Sequence, residues 1–258
     1  MLAAGLFSSI LVPRNRPIIT RLHPAIRATF GALALAVAFA SFDAVSAEDA
    51  AAQPVTAVDL LPQGQEVSDT VIELAGWIAA TKDSQGYPFA IMDKAAAQIL
   101  VFSGDGRLRG AAPGLFGSAV GDHSAPGIAG LALREIPGRD RTTPAGRFVG
   151  GFGPSTDAGR VLWVDYDSAV SMHPTATGVP AEKRAERLAS PSPDDNRVTH
   201  GCINVQPEFY DGIIRPMFER GGVFYILPDT APLAETFPEF VESRATAHHD
   251  GGRGASAR

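Results

Sequence analysis

Between Gly110 and Gly153, glycine and proline recur too often for a helix to run. In a helix interior glycine costs about 1 kcal/mol and proline about 3 kcal/mol relative to alanine. The stretch therefore predicts loops and short strands. Its surroundings agree. Phe89 to Met92 and Gln98 to Phe102 are short apolar runs separated by Asp93-Lys94, and Ser103-Gly104-Asp105-Gly106 is a turn into Arg107 to Ala111. Arg160 to Asp165 predicts a further strand, with Ala169 to His173 as its hairpin partner across Tyr166-Asp167-Ser168, and Val223 to Leu227 a last buried one.

The main helices are expected at the two ends of the domain. Ser68 or Asp69 caps one through about Ala80, with Val71, Ile72, Ala75, Ile78 and Ala79 on one side. Pro207 starts another through Phe209, Tyr210, Ile213 and Ile214, which Pro216 kinks and Gly221-Gly222 ends. The fold class expected is α+β, dominated by strands. Pro174 to Val198 is polar, with a short helix at Ala181 to Leu188, and predicts a mobile flap. From Asp229 the apolar pattern fades, and 229–258 is expected to be a largely disordered tail.

Residues 1–47 read as an export signal. Arg14, Arg16, Arg21 and Arg27 form a basic region, the 15 residues from Ala28 to Phe42 are small and apolar, and Val45-Ser46-Ala47 offers a cleavage pattern. That run falls short of the roughly 18 residues a spanning helix needs. The expected location is therefore the periplasm or cell envelope, without stable membrane insertion after cleavage. Residues 48–86 would then be a lead-in plus the first helix. Lys and Arg total 22 and Asp and Glu 28; residues 1–47 hold four of the former and one of the latter, Asp43, leaving 18 against 27, a net charge of −9. An acidic chain without a basic patch argues against nucleic acid as a partner.

Cys202 is the only cysteine. An exported chain gains from disulfides, and a lone thiol cannot form one internally. It sits in Val198-Thr199-His200-Gly201-Cys202-Ile203-Asn204-Val205, where an imidazole lies two positions away and Gly201 lets a substrate carbonyl approach the backbone. A thiol acts as a nucleophile only as thiolate, which a nearby imidazole or a row of backbone N–H groups favours. His173, at the end of a strand, is a base that a returning loop would bring to the thiol. Other readings stand beside this one. Cys202 is also readable as a small buried hydrophobe, and His173 as a strand-end residue facing water. His173, His200 and Cys202 form a metal set that lacks a fourth ligand at a familiar spacing.

His173 followed by Thr199-His200-Gly201-Cys202-Ile203-Asn204 resembles the signature of the L,D-transpeptidase (YkuD-like) catalytic domain. Thr143-Pro144-Ala145-Gly146-Arg147-Phe148 is similar to that family's Thr-Pro-x-Gly-x-Phe segment, and Phe89 to Gly117 to its early hairpin. The resemblance covers about Tyr87 to Pro228, the expected catalytic domain (87–228). It implies a sandwich- or barrel-like sheet with a helix after the cysteine. It also implies an exported acyltransferase acting on peptidoglycan stem peptides, donor and acceptor, with no cofactor or metal. Cys202 would attack the carbonyl next to a terminal D-Ala, with His173 as base. Backbone N–H groups of the His200-Gly201-Cys202 turn would hold the oxyanion, and Thr199, His200 and Asn204 would support that turn. An L,D-carboxypeptidase or amidase on the same scaffold, or a non-catalytic wall-binding protein, are the other functions it admits. Two features depart from the family. The 25 residues between His173 and Thr199 exceed its usual gap, consistent with an insertion at Ala176 to Pro193, and Pro174 follows the histidine where a small residue is more usual. The alternative base before the cysteine block is His123.

Overall fold

The computed structural model describes residues 65–155, 159–175 and 179–254, with side chains to residue 246. The expected export signal lies outside the described residues.

Helix α1 (Asp69–Thr81) begins where Ser68 accepts a hydrogen bond from the Val71 amide, and ends at Lys82 in the left-handed conformation. Val71, Leu74, Ala75 and Ile78 form its buried stripe. Strands β1 (Phe89–Asp93), β2 (Gln98–Phe102) and β3 (Leu108–Pro113) follow as an antiparallel meander. After β4 (Phe116–Gly117) come three single 3-10 turns between Ile128 and Asp140, then β5 (Gly146–Ser155), β6 (Gly159–Asp165) and β7 (Val170–Pro174). Strands β8 (Arg197–Thr199), β9 (Ile203–Val205) and β10 (Gly222–Ile226) complete the set.

Eight strands form one mixed sheet in the order β3-β2-β1-β10-β5-β6-β7-β9, and β4 pairs with β8 in a small second sheet. The β1–β10 and β7–β9 pairs are parallel. Just beyond β3, the Leu115 amide donates to the Asn204 carbonyl (2.8 Å) and the Asn204 amide to the Leu115 carbonyl (3.0 Å). The last strand of the order thus meets the chain leaving the first, and the sheet curls nearly into a barrel. The strand-dominated α+β expectation holds.

Two cores flank the sheet. Ala90, Met92, Leu162, Val164, Met172, Ile203, Phe224 and Ile226 line the inner one. It is filled by Tyr210, Ile214 and Phe218, which recur every fourth residue along the helical run after the cysteine block. That run comprises α3 (Pro207–Phe209), a π turn at Tyr210–Ile214 and α4 (Arg215–Phe218), with α2 (Arg184–Ala189) earlier in the chain. At the π turn the Arg215 amide donates to Tyr210, five residues back, one position before Pro216. Phe89, Ile91, Val223 and Tyr225 point the other way and pack under α1. Because β1 and β10 are covered on both faces, they read as continuous apolar runs.

Two expectations are corrected. The segment from Asp229 is not a disordered tail: α5 (Leu233–Thr236) and α6 (Pro238–Gly254) follow β10. Phe237 and Phe240 are buried in the outer core, Phe240 meets Trp77 edge-on at 5.9 Å, and Arg244 pairs with Glu73 at 2.9 Å. Phe237, Phe240 and the partly buried Val241 supply the apolar docking contacts of this segment. Nor is the segment between β7 and β8 an open flap over its described part. Short turns at Pro180–Glu182 and Pro193–Asn196 bracket α2, Leu188 is fully buried, and Arg187 bonds the Glu182 and Asp195 carbonyls.

Candidate active site

Strand β7 carries Ser171 and His173 on one face, two residues apart, while Met172 between them enters the core. Parallel pairing with β9 sets His173 opposite Asn204 and Met172 opposite Ile203. Cys202, immediately before β9, is thereby delivered beside Ser171 and His173.

The turn holding Cys202 is built from backbone contacts. Thr199 Oγ1 donates to the Cys202 carbonyl at 2.6 Å and accepts from the Gly201 amide at 3.2 Å. Thr143 Oγ1 donates to the Gly201 carbonyl at 2.8 Å and accepts from the Gly117 amide at 2.9 Å. Gly201 has φ +131°, and a Cβ there would sit 2.8 Å from the Thr142 carbonyl oxygen. No other residue fits so close to the Thr142 backbone. Because the Gly201 amide is taken by Thr199, the amide donors left in the turn are those of His200 and Cys202. Neither has a hydrogen-bond partner among the described residues.

Cys202 is a free, half-buried thiol. Its Sγ lies 3.6 Å from Ser171 Oγ and 3.8 Å from the Ala169 carbonyl oxygen. Burial pushes the thiol up, but the imidazole of His173 and the amide and hydroxyl of Ser171 outweigh it, and the thiol titrates below its ordinary value. Burial pushes His173 down; Cys202 and the Pro174 carbonyl outweigh it, and the imidazole titrates above its ordinary value. Both shifts favour the thiolate–imidazolium pair. His173 Nδ1 lies 3.0 Å from the Pro174 carbonyl oxygen. A carbonyl only accepts, so neutral His173 carries its proton on Nδ1 and Nε2 is left unprotonated.

His200 differs from its neighbours. Burial, then the charges of Arg141 and Arg184, hold it below its ordinary value, and its ring makes no hydrogen bond among the described residues. It lines a narrow cavity of about 60 Å³ that opens on Cys202 and is walled by Ile128, Leu131, Leu133 and Ile136 from the 3-10 turns. His123 does not line this cavity; its carbonyl accepts from Thr142 Oγ1 at 2.7 Å. Among the described residues no three His, Cys, Asp or Glu side chains gather where a metal ion could be held, so His173, His200 and Cys202 form no ligand set there.

The structure thus brings together Cys202, His173, Asn204, Gly201 and Thr199, with His200 at the rim. Sequence reasoning missed two further residues, Ser171 and Arg184, and the role of a third, Thr143, which it had placed only in a motif segment. Ser171 was hidden because its role depends on strand alternation from His173, and the Thr143 hydroxyl because its partners are 26 and 58 residues away. Arg184, whose Nη1 donates to Asn204 Oδ1 at 2.6 Å, carries no local signal.

No family model matches the chain, and no curated protein does. Solved structures do resemble it. An L,D-transpeptidase from Mycobacterium smegmatis is 18% identical, with TM-score 0.33, over 54% of this chain and 58% of that one. An L,D-transpeptidase from Xylanimonas cellulosilytica is 16% identical, with TM-score 0.33, over 55% and 61%. The helical cell shape determining protein of Campylobacter jejuni is 13% identical, with TM-score 0.39, over 62% and 57%. The chain therefore spans less than two thirds of the length of each. Several of the solved structures to which this chain is similar are L,D-transpeptidases.

Proposed function

We propose that the protein is an exported cysteine L,D-transpeptidase acting on peptidoglycan stem peptides. The observation that carries the reading is a lone, half-buried thiol set by the β7–β9 register beside His173, whose imidazole favours the thiolate and whose Nδ1 is committed to the Pro174 carbonyl. It occurs within the Thr-His-Gly-Cys-Ile-Asn block that resembles that family's signature.

In this reading His173 Nε2 takes the Cys202 proton, and the thiolate attacks the donor carbonyl next to the terminal D-Ala. The amides of Cys202 and His200 hold the oxyanion. The intermediate collapses to a thioester as the carbon–nitrogen bond breaks, and His173 returns the proton to the departing D-Ala amine. An acceptor amine then attacks the thioester and loses a proton to His173, while Cys202 leaves as thiolate. The apolar wall from Ile128 to Ile136 supports this second step by limiting water at the thioester. None of these steps calls on a cofactor or a metal.

The test is product analysis with a purified tetrapeptide stem, with and without an amine acceptor. Amine-exchanged or cross-linked product, lost in Cys202→Ala, is expected. Tripeptide alone with every acceptor supplied would make the protein a carboxypeptidase instead. Placement in the envelope is tested separately, by N-terminal sequencing of the exported protein, with cleavage after Ala47 expected.

A further inference from the structure

The imidazole of His173 has a neighbour that the proposed reaction leaves unused. Asn204 lies opposite it across the β7–β9 register, is fully buried, and has both its backbone groups bonded to Leu115. Its amide nitrogen lies 3.1 Å from His173 Nε2 and 3.4 Å from Nδ1. Such similar distances place the nitrogen across the ring rather than on the axis of either ring nitrogen. A primary amide turned end for end keeps its shape, so its orientation is decided by what its oxygen meets. Here the oxygen meets Arg184. Nη1 of that residue donates to Asn204 Oδ1 at 2.6 Å, and its Nε donates to Glu182 Oε2 at 2.6 Å. A guanidinium offers only donors, so the amide oxygen must face it and the NH2 group must face the imidazole.

Arg184 is the first residue of α2, inside the segment that makes the gap between His173 and Cys202 long. Its side chain is largely buried, 15% exposed, and Glu182 holds it from the other side. A charged side chain kept from water with a carboxylate and a buried amide as partners is fixed in place, not a solvated surface arginine.

We propose that Arg184 is a positioning residue for His173. It acts through Asn204, turning the buried amide so that NH2 lies across the imidazole, and it sets a fixed positive charge beside the ring. The groups facing the imidazole divide into two sets. The Cys202 thiolate, from the turn before β9, and the Pro174 carbonyl, from β7, favour the imidazolium. The Asn204 NH2, from β9, and the Arg184 guanidinium, from α2, oppose it, with Glu182 offsetting part of the guanidinium charge. The opposing pair limits how tightly His173 holds the proton it takes, so that the proton is handed on to the leaving amine. The long segment between β7 and β8 would then be part of the catalytic apparatus.

The inference rests on Cys202 and His173 being the reacting pair, but its test needs no peptide substrate. The His173 imidazole is titrated by NMR in the protein, in Arg184→Ala and in Arg184→Lys. Removing the cation should raise the imidazole midpoint by on the order of half a unit or more. Arg184→Lys, which restores charge at similar reach, should bring the midpoint back toward the parent value. An unmoved midpoint in a folded Arg184→Ala protein would overturn the proposal. So would a changed KM for the tetrapeptide with the midpoint unmoved, since that would make Arg184 a substrate-binding residue only. Should Arg184→Ala fail to fold, Arg184→Gln keeps a donor of similar reach and removes the charge. There a raised midpoint supports the proposal and an unmoved one overturns it. Product analysis with the stem peptide can fail without touching this result.

Discussion

A thiol at its ordinary pKa of about 8.5 is almost entirely protonated at neutral pH. The groups around Cys202 therefore matter more than the thiol itself. Ser171 is the clearest new member, because its hydroxyl is 3.6 Å from Sγ and its amide also lowers the thiol's pKa. Ser171→Ala should move the midpoint of iodoacetamide alkylation of Cys202 to higher pH, so the sign is a loss of thiolate at neutral pH; alkylation rates across pH check it. His173→Ala should move the same midpoint further, and should slow turnover on the order of 100-fold or more, the usual contribution of a general base. Cys202 was legible in the sequence because it stands in a compact local block, Thr199 to Asn204, and His173 because it ends a readable strand before that block. Ser171 and Arg184 were not, because they reach the site through strand register and an inter-element contact, which no local pattern encodes. Gly201 was legible as a glycine the backbone requires, although its amide proves to be used internally by Thr199.

At the scale of elements, the helix-bearing ends show where local pattern succeeds and fails. The bounds of helix α1 were readable from its cap to within a residue, but its stripe was not read fully: Ile72, expected to face the core, is exposed, and Leu74 is buried in its place. Helix α6 was not readable: after Phe237, Phe240 and Val241 its sequence is polar, and the docking contacts come from Trp77 and Tyr225, far away in the chain. Phe240→Ala should cost about 3–5 kcal/mol of stability, the range for truncating a buried aromatic. Urea unfolding of the variant checks it. A loss below about 0.5 kcal/mol, the size expected of a surface change, would mean that α6 is not part of the core. The segment between β7 and β8 was readable as an insertion, but its packing was not, since it is held by arginine–carbonyl bonds rather than by an apolar period.

Across the whole molecule, the sheet order places β10 between β1 and β5 and ends on β9. Sequence alone yields β1, β2, β3, β6, β7 and β10, but not the ten-residue β5, whose glycines read as loop, nor that order, which is decided by long-range pairing. One buried ionic cluster ties these distant pieces together. Lys94, fully buried at the end of β1, contacts Asp122 at 3.0 Å and Asp229 at 3.2 Å, and donates to the Thr143 carbonyl at 2.8 Å. It thus braces the same threonine that holds the Gly201 carbonyl. Burial pushes the Asp122 carboxyl up, but the amides of Asp229, Ala231 and Thr230 and the Lys94 ammonium hold it well below the usual carboxylate range. A depressed carboxylate contributes stability above its unfolded value and loses it as pH falls through its folded value. Lys94→Met takes the ammonium from buried Asp122, while Asp229 keeps Arg197, and should cost about 3–5 kcal/mol at neutral pH. The deficit should shrink as acid protonates Asp122, which unfolding measured at several pH values would reveal.

The central claim is that Cys202 becomes an acyl-enzyme. Intact-protein mass spectrometry after brief mixing with the tetrapeptide stem tests it most directly. The account predicts a mass gain equal to the tripeptide acyl group, located on Cys202 and absent from Cys202→Ala. Conversion of the tetrapeptide by Cys202→Ala at the parent rate would contradict it.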